Sequence, residues 1–236
     1  MDIQVISSGS KGNCYKVSNK DTTLLIECGI PYKKIQEALD FKVTDVDGVL
    51  VSHEHMDHAK ACKDLIKAGV DIYTSKGTAE ALGIDGHRVK ILKIIYHKGF
   101  TYKPVKIGSF YVSPFSIVHD AKQPTGFYVL DTNTKESLLF LTDTQYCPFK
   151  FNPDYLMIEV NYVGKTINSN KNLDPMLRKR IKENNMSVET AIDFMEKCNL
   201  DRLKKVYVMH LSEKNSDEEI IKTKIQEITG VSVEIC

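Results

Sequence analysis

The sequence has no tryptophan, no Cys-x-x-Cys pair and no large excess of either charge. Its six cysteines (Cys14, Cys28, Cys62, Cys147, Cys198, Cys236) are scattered irregularly over 236 residues. Such spacing excludes a disulfide framework and a cysteine zinc site, and is expected of reduced thiols in a cytoplasmic protein. Lysine and arginine number 32 against 31 acids, so a nucleic-acid binder's global basic footprint is missing and any basic patch is local. No apolar run approaches the roughly 20 residues that span a bilayer. MDIQ opens neither a basic nor an apolar leader, so no membrane partner is expected. Fixed-period repeats and low-complexity linkers are also lacking, which favours a single domain over residues 1–236.

What the chain does have is short apolar strands interrupted by helices. DIQVIS, CYKVS and TTLLIE read as strands, and Pro31 suits the first turn of a helix carrying Ile35, Ala38 and Leu39 on one face. DGVLVS reads as a buried strand, and Ala59–Gly69 as one helix closed by its glycine. Residues 100–141 are β-rich. YLMIEV follows as a buried strand, then two helices over 174–198, the strand KKVYVMH, the helix DEEIIKTKIQEI and a last strand, VSVEI. The expected class is α/β, with two sheets packed face to face and helices outside.

The strongest local signal is HEHMDH, His53 to His58, placed where DGVLVS ends. His53 and His55 do not share a helix face, but they can converge from a loop leaving a strand. Asp57 and His58 follow at the start of a helix. Imidazole and carboxylate suit zinc, manganese or iron. The metalloprotease pattern HExxH does not fit, because Asp57 stands three residues after Glu54. His119, Asp143 and His210 each follow an apolar strand as well. Five of the seven histidines belong to this repeated arrangement, and His87 and His97 are expected to be ordinary surface residues.

HEHMDH followed by His119, Asp143 and His210 resembles the HxHxDH…H…D…H signature of metallo-β-lactamase-fold hydrolases. The resemblance implies an αββα sandwich with mixed sheets and two divalent metal ions, zinc or manganese, with iron accepted by the same donors. No organic cofactor is implied. His53, His55 and His119 would bind the first metal; Asp57, His58 and His210 the second; Asp143 would bridge them. Asp57 and Asp143 would be the catalytic carboxylates, with a hydroxide between the cations as nucleophile. Asp143 stands where the main zinc lactamases use cysteine, and His55 where flavin-linked di-iron members use glutamate; both branches are thereby disfavoured.

Two further stretches resemble the YycJ/WalJ-type branch, compact bacterial enzymes regarded as DNA exonucleases, with relatives in phages. They are SSGSKGNCY near the start and HLSEKNS at the last metal histidine. Glu159-Val160-Asn161-Tyr162 resembles an E-x-N-Y/H element of the same branch. Two positions depart from the pattern: Glu27 replaces the usual aspartate of L-I-D-x-G, and Asn185-Met186-Ser187 lies where Gly-His-Leu-Ser is usual. The expected function is a two-metal phosphodiesterase, foremost a DNA exonuclease, with RNA as the second candidate polymer. Its rivals are a hydrolase of a small phosphodiester or thioester and a non-catalytic nucleic-acid-binding protein. Six basic residues lie between Lys165 and Lys182, including Arg178 and Lys179. They form either a solvated helix face or a phosphate-tracking surface. Ser8, Ser10, Lys11 and Asn13, with Asn161, Ser212 and Asn215, complete the candidate substrate contacts. SSGSKGN itself is either a tight turn or a phosphate-holding loop; it is no Walker A motif. Oligomeric state leaves no mark on the sequence.

Overall fold

The computed structural model describes residues 1–96, 100–212 and 215–236. Among these residues the strands form two mixed sheets, of six and nine strands. The chain divides into two compact units, Met1–Ser116 with Ala121–Glu136, and Ile117–Asp120 with Ser137–Cys236. No helix among the described residues is long and apolar enough to cross a membrane.

In the first unit, β1 (Asp2–Ser7), β2 (Cys14–Ser18) and β3 (Thr23–Ile26) form an antiparallel meander. The β1–β2 ladder slips register between Val5 and Ser7, where the chain enters the SSGSKGN loop. Helix α1 (Tyr32–Ala38) begins one residue after Pro31. It is followed by β4 (Gly48–Leu50), α2 (Met56–Ala59), α3 (Cys62–Lys67), β5 (Ile72–Thr74), α4 (Lys76–Leu82) and β6 (Val89–Ile91). Strands β3 to β6 run parallel. Leu24, Leu25, Ile26, Val49 and Leu50 are fully buried, as expected of central parallel strands covered on both faces. Ser75 caps α4 by accepting the N–H of Thr78, and Gly83 closes it in the left-handed conformation. An antiparallel set completes the unit: β7 (Ile94–Tyr96), β8 (Phe100–Tyr102), β9 (Val105–Ile107), β10 (Phe110–Ser116) and β11 (Thr125–Asp131).

The helix expected over Ala59–Gly69 is instead broken into α2 and α3. The Ala61 N–H donates to the Cys28 carbonyl at 2.9 Å, and the Asp57 carbonyl accepts the Asn13 N–H at 2.7 Å. Long-range bonds have replaced the bond from Ala61 to Asp57 that a continuous helix would make.

The second unit contains β12 (Ser137–Leu141), β13 (Tyr155–Glu159), α5 (Gly164–Ser169), α6 (Pro175–Asn184), α7 (Val188–Lys197), β14 (Lys205–Met209), α8 (Glu218–Thr229) and β15 (Ser232–Ile235). Its four strands are parallel in sequence order. SLLFL is buried throughout, and α7 buries Val188, Ala191, Phe194 and Met195 at helical spacing. Helix α6 starts with an aspartate cap, Asp174 accepting the N–H groups of Met176 and Leu177, and has no buried residue. Parallel register aligns the carboxyl ends of neighbouring strands at one edge, where open α/β sheets carry their sites.

Candidate metal centre

In the first unit the site grows from the ends of β3 and β4. Glu27 follows β3 and is fully buried with a left-handed backbone, φ 62°. Its Oε1 accepts the Ser52 N–H at 3.1 Å, and its Oε2 lies 3.5 Å from His58 Nδ1. Burial pushes the Glu27 carboxyl up, while the hydrogen bond and charge of His58 and the bonds from Ser52 pull it back. A carboxylate facing Nδ1 favours the tautomer with the proton on that nitrogen, which leaves Nε2 its lone pair. Ser52 Oγ lies 2.8 Å from His53 Nδ1, and His53 Nε2 is 3.1 Å from His55 Nδ1. The rings of His53 and His58 are 4.2 Å apart, and Asp57 Oδ2 is 3.5 Å from His58 Nε2. HEHMDH thus sets His53 beside both His55 and His58, with Asp57 against His58, at the point where the chain leaves β4.

The SSGSKGN loop braces that point. Asn13 is fully buried. Its Oδ1 accepts from the Gly9 N–H at 2.9 Å and the Tyr15 hydroxyl at 3.0 Å, and its Nδ2 donates to the Asp57 carbonyl at 3.2 Å. The same Nδ2 is 3.2 Å from His58 Nε2. Ser8 Oγ lies 3.0 Å from the Tyr15 hydroxyl, to which it can donate, whereas Ser10 and Lys11 are exposed at the tip. Of the four residues expected to meet substrate here, Asn13 is thus committed inward to the ligand segment. A Cβ on Gly29 would lie 1.7 Å from the Asp57 carbonyl oxygen, so only glycine lets the two backbones approach this closely.

In the second unit, His119 Nδ1 lies 3.0 Å from the Asn184 carbonyl, to which it donates. Its Nε2 stands 3.4 Å from Asp120 Oδ1 and 3.6 Å from Asp143 Oδ2. Asp143 and His210 follow β12 and β14, and both have left-handed backbones, φ 41° and 55°. Non-glycine residues pay for such conformations, which cluster at functional sites. His210 Nδ1 is 3.4 Å from Asp143 Oδ1 and 3.5 Å from Glu159 Oε1. Donor atoms of Asp143, Glu159 and His210 all lie within 4.8 Å of one another. Glu159 Oε2 accepts the Thr144 N–H at 3.0 Å. Burial first, then the charge of Asp143, raises the Glu159 carboxyl to about 7, against the pull of His210. Two buried carboxylates facing each other beside a histidine are what a cation would relieve, so these donors fit a divalent metal.

Asn161 is buried and donates from Nδ2 to the His210 carbonyl at 3.0 Å, while its own carbonyl accepts the Ser212 N–H at 3.0 Å. Ser212 Oγ accepts from Asn215, which is buried and also accepts from Asn170. These three expected substrate contacts form the scaffold of the His210 loop. Glu213 and Lys214 of HLSEKNS lie outside the described residues, as does His97; His87 is exposed as expected. Arg178 donates from Nη2 to the carbonyls of Asn170 and Leu173, closing the turn before α6, and Lys179 pairs with Glu183 at 3.7 Å. The sequence marks Glu159 only through the E-x-N-Y/H element and carries no sign of the Asn184 carbonyl; both lie beside proposed ligands.

Imidazoles oriented through their second nitrogens, set among carboxylates at strand ends, are the working parts of a metal-dependent hydrolase, and this one has the metallo-β-lactamase fold. The chain belongs to the β-lactamase superfamily, whose "Beta-lactamase superfamily domain" matches residues 22–211. It is 30% identical over 230 residues to "Exodeoxyribonuclease WalJ" of Streptococcus pneumoniae, covering 92% of this chain and 83% of that one. "Exodeoxyribonuclease YycJ" of Bacillus anthracis is 27% identical over 241 residues, covering 97% and 89%. The crystal structure of the metallo-beta-lactamase fold protein YhfI from Bacillus subtilis superimposes with a TM-score of 0.72 at 17% identity, covering 99% and 95%. The two mixed sheets with helices expected from sequence are therefore the observed fold.

Proposed function

We propose that the chain is a two-metal phosphodiesterase that removes nucleotides from the ends of DNA in the cytoplasm, with its two units acting as one domain over residues 1–236. In this reading His53, His55 and His119 hold one cation, Asp57, His58 and His210 the other, and Asp143 is shared. Zinc, manganese and iron all suit these donors. When bound, two such cations supply charge for the phosphoryl oxygens and lower the pKa of an attacking water. The protein's own part is to hold those ligands. Glu27 fixes the tautomer of His58, the Asn184 carbonyl fixes that of His119, and Asn161 anchors the backbone of His210. Asp57 orients the attacking water from its place beside His58.

The observation that carries the reading is the carboxylate at Asp143, a hard oxygen donor flanked by Glu159 and His210 where a thiolate would favour softer metals. DNA is the favoured substrate because two relatives of nearly full coverage are named exodeoxyribonucleases. The six free cysteines, four of them buried, suit a reducing compartment. The test is digestion of end-labelled and internally labelled DNA and RNA, with zinc, manganese or iron supplied in turn. Release of mononucleotides from DNA ends is expected. Cleavage of small chromogenic diesters with DNA left intact would replace the nuclease by a small-diester hydrolase.

A further inference from the structure

We propose that Arg180 grips a phosphate of the polynucleotide chain adjacent to the one being cleaved, and that Asp120 keeps its guanidinium aimed there. The proposal rests on the nuclease reading above. Among the cations of the α6 segment, most are occupied away from the ligands. Arg178 closes the preceding turn, Lys179 pairs with Glu183, and Lys182 Nζ donates to Asn168 Oδ1 at 2.6 Å. Arg180 instead turns toward the ligand loop, its Nε and Nη2 3.1 and 3.0 Å from Asp120 Oδ2.

The other oxygen of Asp120 is 3.4 Å from Nε2 of His119, a proposed ligand. One turn beyond Arg180, Asn184 presents the carbonyl that accepts from Nδ1 of the same histidine. Helix α6 is thereby tied to His119 on two sides, and Arg180 is the cation this geometry carries to the ligand loop. Its side chain is 65% exposed and that of Asp120 35%, so the guanidinium stays accessible while Asp120 holds its Nε and Nη2. The three N–H groups left over, on Nη1 and Nη2, suit the two oxygens of a phosphodiester. Asp120 stands between the fork and His119, which puts the grip on a neighbouring phosphate rather than on the scissile one. Discrimination for a chain with several phosphates over a lone diester follows.

The test compares metal-loaded wild type, Arg180→Ala and Arg180→Lys on a labelled single-stranded oligodeoxynucleotide and on bis(p-nitrophenyl) phosphate, over a salt series. Arg180→Ala should lower kcat/KM for the oligonucleotide by about ten- to hundred-fold more than for the small diester, chiefly through KM. It should also flatten the slope of log kcat/KM against log salt by roughly 0.7, one single-strand phosphate contact. Arg180→Lys should restore the slope but only part of the loss, and it serves if the alanine variant folds poorly. Equal losses on both substrates with an unchanged slope would overturn the proposal while leaving the nuclease intact. A wild type that hydrolyses the small diester but not the oligonucleotide overturns both readings, so the two failures are distinguishable.

Discussion

Replacing Gly29 with alanine probes how the SSGSKGN loop and the metal ligands depend on each other. The added Cβ would lie 1.7 Å from the Asp57 carbonyl oxygen, 2.0 Å from its carbon and 2.6 Å from the His58 nitrogen, all backbone atoms. Ordinary contact begins near 3.4 Å, so the Asp57–His58 segment must retreat by more than 1.5 Å, or Gly29 must. Neither side is loose. Gly29 N–H donates to Asn13 O at 2.8 Å, Cys28 N–H to His58 O at 2.8 Å and Asn13 N–H to Asp57 O at 2.7 Å. Gly29 has no left-handed φ, so the substitution acts through this collision alone. Overpacking of this kind costs about 1–3 kcal/mol of stability. A displacement of about 1 Å in a catalytic group costs on the order of 100-fold in rate. The assay is metal content, thermal unfolding and phosphodiester hydrolysis of Gly29→Ala beside Gly164→Ala, which has no left-handed φ and whose Cβ would meet only the flexible Glu189 carboxylate, at 3.1 Å. Gly29→Ala should lose metal and activity far more than Gly164→Ala. Full metal content and wild-type turnover in Gly29→Ala would refute the idea that this loop braces the ligands.

Other residues give sharper readouts of single contacts. Glu27→Asp shortens the carboxylate that reaches both Ser52 and His58, and metal affinity should fall about 10–100-fold by competition with a chelator. Asn161→Ala removes the bond to the His210 carbonyl and should lower metal affinity and kcat together, without a selective rise in KM for DNA; a pure KM effect would return Asn161 to the substrate surface. Glu159 has a folded pKa of about 7, raised from 4.5, so the folded metal-free protein holds its proton longer than the unfolded chain does. Its stabilising contribution is complete below about pH 4.5 and is lost as pH rises through 7, amounting to about 3 kcal/mol. Metal-free protein should therefore unfold more easily at pH 8 than at pH 5, by a margin that Glu159→Gln reduces.

The parts of this molecule that could be read from sequence are those written in consecutive residues. GVL, LLFL and VYVM are continuous apolar runs because these stretches of β4, β12 and β14 are buried on both faces, and each is followed within three residues by a proposed ligand. HEHMDH stands out because its candidate ligands fall within six consecutive residues. Contacts made by distant residues were not legible. The break between α2 and α3 is caused by Cys28 and Asn13 taking the backbone bonds of Ala61 and Asp57, and helical periodicity carries no trace of it. Helix α5, GKTINS, leaves little helical signal in the sequence, because it opens on glycine and has one buried residue. Arg178 and Arg180 are indistinguishable in a run of cations, yet one closes a turn and the other faces Asp120 beside the proposed ligand His119.

In the proposed site the histidine and carboxylate clusters hold two cations. Metal content of the purified protein after loading with zinc or manganese, measured alongside phosphodiester hydrolysis, decides whether they do. Two equivalents per chain are expected, with Asp143→Ala losing both bound metal and activity while remaining folded. A protein that takes up no metal, or an Asp143→Ala variant that keeps two equivalents and full activity, would contradict the account.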